Sequence, residues 1–320
     1  MRLEVRHDLW LDYDDVIRES YIELHLQPKT TPGQRVGLFA LAVGPPTRVH
    51  RYRDWNDNQV HHLSIIQFHD RIEVHSRSLV DTRPPEVALD ALLDCPPYRE
   101  QAPSLLDWLS LGGPLPETQR LRKFAAAVAA PRRAPVGEQV RVLGEHLQRE
   151  FAYEKNVTRY DSRTDDFLRL GRGVCQDFAH LMLALLRLRQ IPCRYVSGYL
   201  HVERDNSEVS QSHAWVEFYT PGHGWTPFDP THDRVPDDRY VVVAHGRHYD
   251  DVPPNKGIYR GNAKEVLRAE VHTSVSTAIV PAELREEDVR VIDLPLVHEA
   301  PERRGERLIR PEDEAAAQQQ

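Results

Sequence analysis

The sequence predicts an α+β protein in which an antiparallel β-sandwich precedes a domain that packs a helix against an antiparallel sheet. Three observations support this prediction. Apolar and polar residues alternate with a period of two through residues 1–82, as in half-buried strands. Beyond them, apolar residues recur at helical spacing. From residue 175 onward, one long apolar helix is followed by short segments that alternate again.

The N-terminal region contains several short predicted strands separated by turn residues. In SYIELHLQP, Ile22, Leu24 and Leu26 alternate with polar residues, and RVGLFALAV and RIEVHSRSLV predict further strands. RYRDWNDNQVHHLSIIQF predicts two strands joined at residues 56–58, because asparagine tolerates the left-handed backbone of tight turns. Strands at this spacing favour a small antiparallel sandwich, and no catalytic grouping is evident within it.

Residues 83–150 predict a helical segment that connects the sandwich to the next domain and packs against it. SLLDWLSLG and ETQRLRKFAAAVAA have helical periodicity, and PRRAP breaks the chain after them. In GEQVRVLGEHLQREFAY, Val140, Leu143, Leu147 and Phe151 fall on one helical face. That face is expected to be buried.

Residues 151–285 are predicted to form the domain that carries the chemistry. GRGVCQDFAHLMLALLRLRQIPCRYVSGYL places Cys175 where a glycine-broken loop meets an apolar helix, predicted over 175–189, and IPCRYVSGYL predicts a central strand. SHAWVEFYTPGHGWTPFD predicts a strand, a turn and a returning strand. Residues 286–320 are a C-terminal extension, and the last ~20 residues are charged and repetitive, which is typical of disorder.

Composition limits the kinds of partner. The net charge of −8 argues against nucleic acid or an anionic membrane as the main partner. No apolar run is long enough to span a bilayer, and the N-terminus lacks the pattern of a secretory signal. Three cysteines do not form a disulfide framework, which fits a reducing compartment. We therefore expect a cytoplasmic protein; the sequence does not indicate its oligomeric state.

Cys175 is the candidate nucleophile. The attacking species is the thiolate, and the unpaired N–H groups and positive dipole end at a helix N-terminus favour it. Those N–H groups could also stabilise an oxyanion, and Gly171 and Gly173 leave room for a substrate chain. The alternative is a buried, inert thiol, which we expect for Cys95 and Cys193. For Cys175 alone the two interpretations are equally open.

His213 and Asp229 supply the partners that a cysteine nucleophile needs. A general base must reach the thiol, and a third group must orient that base. SHAWVEF offers His213 and PFDPTHD offers Asp229, at neighbouring ends of the predicted hairpin. Separately, His213 could be a satisfied histidine at a strand edge and Asp229 a turn residue. Together, the order Cys, His, Asp favours a catalytic triad.

Several residues near the predicted triad are candidates for lining or supporting a substrate cleft. Asp177 is expected to be a dipole-favoured acid of the first helical turn rather than a catalytic group. His180 is expected to pack, and core packing is also favoured over a cleft position for the aromatic residues. The candidates for lining or supporting a substrate cleft are Gly173, Gln176, Asp177, Tyr199 and Trp215.

No cofactor or metal is expected. Adjacent His61 and His62 would point to opposite faces of a strand, which makes them poor co-ligands. His69 and His75 lack cysteine or carboxylate neighbours at ligand spacing. Glycine loops of the phosphate-binding or dinucleotide-binding type are also missing from the sequence.

The combined motifs resemble the bacterial branch of the transglutaminase-like superfamily, whose core is similar to papain-like cysteine proteases. The resemblance rests on GVCQDFAHL, IPCRYVSGYL, SHAWVEFYTPGHGWTPFDPT and HGRHYDDVPPNKGIYRG, and residues 1–82 resemble the N-terminal region that commonly precedes this core. It implies Cys175 as nucleophile, His213 as base and Asp229 as orienting acid.

Two positions depart from the family pattern. Animal transglutaminases have tryptophan directly after the nucleophile, whereas this chain has Gln176, which weakens any transfer of calcium-dependent crosslinking. Relatives usually have aspartate where this chain has His248. If that aspartate has a role in binding, the role is in doubt in this chain, and Asp250 and Asp251 are the residues that could substitute for it.

The sequence thus predicts a cysteine enzyme that acts on peptide or amide bonds through a thioester. Hydrolysis by a protease or amidase is favoured, because water is always available. The alternatives are transglutaminase-type transfer to an amine and, from another class, a non-catalytic binding scaffold. Peptide or protein is the expected substrate. Bacterial relatives often occur beside ATP-grasp-type ligase genes, so a peptide ligase system is a possible partner.

Overall fold

The structure, a computed structural model, describes residues 1–98, 102–128, 133–202, 212–278 and 290–293. The N-terminal region is built from strands alone, as the alternating pattern predicts. Its strands are β1 (Arg2–Ile17), β2 (Glu19–Leu24), β3 (Gln34–Gly44), β4 (Val49–Arg53), β5 (Gln59–Ile65) and β6 (His69–Thr82).

Helices dominate from residue 119 until the core sheet begins. The segment before them contains three short 3-10 turns, so SLLDWLSLG does not form the predicted α-helix. The elements that follow are α1 (Gln119–Ala127), α2 (Val136–Glu150), β7 (Ala152–Tyr153), α3 (Thr164–Leu170), β8 (Arg172–Gly173), α4 (Cys175–Leu188), β9 (Cys193–Leu200), β10 (Ser212–Thr220), β11 (Gly224–Phe228) and β12 (Tyr240–Gly246).

The core sheet is antiparallel and has the order β11-β10-β9-β12. Helix α4 packs on it, and its apolar residues are almost entirely inaccessible, as expected of a helix that is apolar along most of its length. The predicted apolar face of α2 is buried in the same core through Val140, Leu143 and Leu147. The predicted α+β fold is confirmed.

Three late strands return to the N-terminal region: β13 (Asn255–Arg260), β14 (Glu265–Val275) and β15 (Arg290–Asp293). The sandwich therefore has a five-stranded sheet, β14-β1-β6-β3-β15, and a four-stranded sheet, β13-β2-β5-β4. Among the described strands of these two sheets, only β3 and β15 pair in parallel. The sequence-based division placed β13 and β14 with the core, whereas they pair with β2 and β1. The predicted disorder of the last residues concerns positions outside the described ranges.

The sandwich contacts the core sheet along its edge strand β12. The Gln34 amide donates to the Val242 carbonyl and accepts from the Val242 N–H, both at 2.8 Å. The Asn58 amide makes the same pair of 2.8 Å bonds with His245. Two side-chain amides thus satisfy backbone groups that a further strand would otherwise pair.

In the ranges that the structure covers, no helix combines the length and apolarity that crossing a membrane would require. All three cysteines are unpaired. Cys193 is buried as expected, but Cys95 is exposed, so the expectation of a buried thiol at that position is wrong.

Candidate active site

Cys175 is the first residue of α4 and is half-buried. The first N–H groups of a helix have no carbonyl one turn earlier to bond, and in α4 the Asp177 N–H donates instead to the Val174 carbonyl at 2.9 Å. The N–H groups before it and the positive dipole end lie in the region of the thiol. The predicted placement of Cys175 at a helix start therefore holds.

Asp177 caps this helix. Its carboxylate accepts from the Val174 N–H at 2.8 Å and from the Thr158 hydroxyl at 2.7 Å, and the side chain is almost fully buried. Burial raises the pKa of the Asp177 carboxyl, although these two hydrogen bonds oppose the effect. The geometry matches the structural role expected for this residue.

Gly173 lies beside that carboxylate and is buried. A Cβ atom at this position would lie 2.4 Å from Asp177 Oδ2. The space next to Gly173 is therefore occupied by protein and is not open to a substrate chain. Gly171 instead ends α3 in the left-handed conformation, with φ of 68°.

Gln176 is anchored to the loop that precedes α3. Its side-chain amide donates to the Tyr160 carbonyl at 2.8 Å. Tyr153 lies on the same side, because β7 pairs with β8 and sets Tyr153 opposite Gly173. Burial, together with the nearby Cys175, raises the pKa of the half-exposed Tyr153 to about 12. Tyr153 therefore flanks the thiol, a position that the sequence pattern did not reveal.

His213 and Asp229 are brought together by the β10–β11 hairpin. His213 begins β10, and Asp229 directly follows β11. His213 Nε2 lies 2.8 Å from Asp229 Oδ2, and both side chains are buried. Because an ionised carboxylate is only an acceptor, Nε2 carries the proton and Nδ1 is the nitrogen left for the thiol.

The electrostatics favour a charged pair. Burial alone would lower the pKa of His213, but hydrogen bonds with Asp229 and with Cys175 outweigh it and raise the pKa above its usual range. Burial likewise raises the pKa of Asp229, but bonds from His213 and His232 hold it well below the usual range. An imidazolium between a carboxylate and a thiol is the arrangement that can hold the thiol proton.

The two aromatic candidates are buried. The Trp215 ring stacks on one face of the His213 ring, with centroids 6.0 Å apart, and so restricts the orientation of the imidazole. The Tyr199 hydroxyl lies 2.9 Å from His7 Nδ1, at the contact with the sandwich. Neither residue has the exposure needed to line an open cleft.

His180 and His248 have structural contacts. The Tyr249 N–H donates to His180 Nε2 at 3.1 Å, and burial lowers the pKa of His180 to about 3, so it packs as a neutral side chain. His248 Nδ1 lies 3.7 Å from Asp250. The Asp251 carboxylate is engaged by Arg247, with its guanidinium at 2.9 Å.

Two residues that the sequence pattern did not single out contact Asp229. His232 Nδ1 and the Tyr240 hydroxyl each lie 2.7 Å from Asp229 Oδ2. His232 stands three residues after Asp229 in the same turn, a spacing that could have drawn attention to it. Tyr240 lies on β12, and its approach depends on strand order that sequence spacing does not give.

One trio of potential metal ligands lies within mutual reach in the described part of the chain: His213, Asp229 and His232, with donor atoms within 4.8 Å. Ligand atoms around tetrahedral zinc, bonded at about 2.0–2.1 Å, lie about 3.3 Å apart. The separations of 2.8 and 2.7 Å from Asp229 Oδ2 are those of hydrogen bonds. The trio therefore fits a carboxylate shared by two imidazoles better than a metal centre.

Comparison with protein families identifies both parts of the chain. Residues 122–230 match the model of the transglutaminase-like superfamily, and residues 3–81 match the bacterial transglutaminase-like N-terminal region. The chain is also 31% identical over 308 residues to an uncharacterized protein of Mycobacterium tuberculosis, covering 88% of this chain and 93% of that protein. The chain belongs to the transglutaminase-like superfamily, as its motifs predict.

Two further similarities are informative. Over 168 residues the chain is 29% identical to the protein-glutamine gamma-glutamyltransferase of Pseudomonas aeruginosa, covering 48% of this chain and 25% of that protein. A solved structure from Cytophaga hutchinsonii, whose name classes it provisionally as a cysteine protease, superposes with a TM-score of 0.72 at 23% identity, covering 88% of this chain and 93% of that one. This second similarity supports the fold.

Proposed function

We propose that the protein is a cysteine-dependent hydrolase that cleaves amide bonds in peptides through Cys175, His213 and Asp229. The observation that carries the proposal is the position of His213. One ring nitrogen is bonded to a buried carboxylate, and the imidazole also interacts with a thiol at a helix N-terminus. A nucleophile next to a base, with an acid that orients the base on its other side, is the arrangement that the reaction requires.

The first half-reaction forms a thioester. His213 already holds the proton of Cys175, and the sulfur, as a thiolate, attacks the carbonyl carbon of the amide. We expect the N–H groups at the start of α4 to stabilise the negative oxygen that develops. His213 then donates the proton to the departing nitrogen, the C–N bond breaks, and the amine leaves.

The second half-reaction consumes water. His213, now neutral, takes a proton from a water molecule that attacks the thioester carbonyl. The C–S bond breaks, a carboxylic acid is released, and the resting pair of Cys175 thiolate and protonated His213 is restored. Hydrolysis is preferred because water is always present, whereas an amine would have to compete with it for the thioester.

Transfer of the acyl group to an amine is the second candidate. The similarity to the Pseudomonas aeruginosa gamma-glutamyltransferase favours it, over about half of this chain. Incubating the protein with casein, with and without a fluorescent primary amine, separates the two. Peptide release without incorporated fluorescence supports hydrolysis, whereas amine incorporation supports transfer.

Thiol reactivity tests the triad without a known substrate. Alkylation of all three cysteines is followed by mass spectrometry between about pH 5 and 9, in the wild type and in His213→Ala. Cys95 is an exposed reference thiol, and burial raises the pKa of Cys193 to about 11, so it serves as an unreactive one.

The proposal expects Cys175 to be alkylated faster than Cys95 at pH 6 and to lose that advantage in His213→Ala. If Cys175 reacts no faster than Cys95 in the wild type, a non-catalytic binding scaffold becomes the better explanation. The cytoplasmic location and an association with a peptide ligase system stay predictions.

A further inference from the structure

The Asp229 carboxylate accepts hydrogen bonds from four groups. The Thr231 N–H donates to Oδ1 at 2.8 Å. His213, His232 and Tyr240 all reach Oδ2, at 2.8, 2.7 and 2.7 Å. Asp229 has no exposed surface, so these groups stand in for the water that would otherwise surround its charge. A triad that needs only an oriented histidine does not require so many donors.

The direction of each bond follows from chemistry. Arg234 Nε lies 3.0 Å from the Tyr240 oxygen, and a guanidinium can only donate, so the single Tyr240 hydrogen goes to Asp229. Burial, with Asp229 nearby, raises the pKa of Tyr240 and keeps that hydrogen in place. The loop itself is closed by backbone bonds between Asp229 and Arg234, at 2.8 and 3.2 Å.

In the proposed reaction, these donors matter most after His213 has lost its proton. In the resting pair, the imidazolium of His213 balances the Asp229 charge. After His213 has passed its proton to the leaving amine, the carboxylate faces a neutral ring. A buried charge without a counter-ion is strongly unfavourable, so the site would tend to return a proton to His213. A protonated His213 cannot take the proton of the attacking water.

We infer that His232 and Tyr240 are positioning residues that keep Asp229 ionised and hydrogen-bonded while His213 is neutral. By stabilising the lone carboxylate, they let His213 act as a base in the second half-reaction. The charged or titratable groups facing the His213–Asp229 pair are Cys175 on α4, His232 and Arg234 on the loop, and Tyr240 on β12. The inference rests on the proposed function.

The test uses p-nitrophenyl acetate and the full chain. Attack by the Cys175 sulfur forms an acetyl thioester and releases p-nitrophenolate, a leaving group that needs no proton. The thioester is then hydrolysed by water with His213 as base, which releases acetate. A burst therefore reports the first step, and the steady-state rate reports the second.

Three variants separate the donors from the packing. Tyr240→Phe removes the hydroxyl but keeps the ring, whose centroid lies 5.3 Å from that of Trp215. His232→Leu removes a donor on a side chain that is 42% exposed, so folding is little affected. His232→Asn is the matched control, because its amide nitrogen can donate from nearly the same position as Nδ1.

The burst is expected to be retained in Tyr240→Phe and His232→Leu, because the resting pair is intact. The pH profile of the steady-state rate is expected to shift upward by about one unit, which lowers the rate at pH 7 about tenfold. His232→Asn is expected to restore most of the rate and the wild-type profile.

An unshifted profile in both donor-removing variants would overturn the inference. So would burst and steady-state rates that fall together without a pH shift, because that pattern marks a purely structural role. A wild-type protein without a burst, or a burst that survives Cys175→Ala, would instead overturn the proposed function and this inference with it.

Discussion

Replacing Gly173 with alanine tests how tightly the start of α4 is built around Asp177. The added methyl carbon would lie 2.4 Å from Asp177 Oδ2 and 2.9 Å from a ring carbon of Phe167. The carboxylate must then move, although it holds the Val174 N–H at 2.8 Å and the Thr158 hydroxyl at 2.7 Å. The substitution therefore removes the helix cap without touching Cys175.

The expected loss of stability follows from those contacts. A lost cap costs about 1 kcal/mol, a hydrogen bond to a carboxylate about 1.5 kcal/mol, and crowding against Phe167 at least about 1 kcal/mol. We expect Gly173→Ala to lower the free energy of unfolding by about 3–4 kcal/mol. Gly171→Ala is the control: φ is 68° and no atom lies within 4 Å of its added carbon, so backbone strain alone costs about 1 kcal/mol.

The free energy of unfolding is measured by urea denaturation in four variants: Gly173→Ala, Gly171→Ala, Asp177→Ala and the double variant Gly173→Ala/Asp177→Ala. Without the carboxylate, the methyl group meets less resistance, so the two substitutions are expected to couple by about 2 kcal/mol. A cost for Gly173→Ala no greater than that for Gly171→Ala would contradict this account, as would a cost that is unchanged in the Asp177→Ala background.

Three further predictions concern the triad, the sandwich–core contact and acid stability. Asp229→Asn places an amide among donors, so amide turnover should fall about a thousandfold, measured as kcat on casein; near-normal turnover would remove Asp229 from the triad. Asn58→Leu leaves the His245 backbone unpaired and should cost about 3 kcal/mol in urea, whereas the exposed Asn262→Leu should cost almost nothing. Burial lowers the pKa of His61 to about 4, below its unfolded value of about 6.5, so the free energy of unfolding falls as the pH drops from about 6.5 to 4. His61→Leu should remove this loss and be up to about 3 kcal/mol more stable relative to the wild type at pH 4 than at pH 7, as measured by urea denaturation at both pH values.

The proximity of the three proposed catalytic residues could be predicted because they lie at positions that local patterns define. Cys175 marks the switch from a glycine-containing loop to an apolar helix, and the alternation of β10 and the turn before β11 fix which ends of the hairpin meet. His213 and Asp229 then need only the hairpin register to come into contact. Helix start, strand period and turn chemistry all act over short distances along the chain.

What the sequence did not show depends on pairing between distant segments. An alternating segment predicts a strand but does not indicate which strand it pairs with. The sequence pattern of β13 and β14 therefore could not assign them to the sandwich. Tyr240 reaches Asp229 because β12 pairs with β9, on the far side of β9 from β10. The contact between Gly173 and the buried Asp177 is a similar case, because a glycine in the sequence does not indicate which neighbouring side chain occupies the space beside it.

The N-terminal sandwich supports β12, the strand that carries Tyr240. Gln34 holds both backbone groups of Val242, which lies two residues after Tyr240 on β12. Tyr240 in turn donates to the carboxylate that orients His213. Because a paired strand transmits position along its length, the sandwich fixes the strand from which this donor reaches the triad. The contacts of the sandwich with β12 make it a structural support of the core sheet.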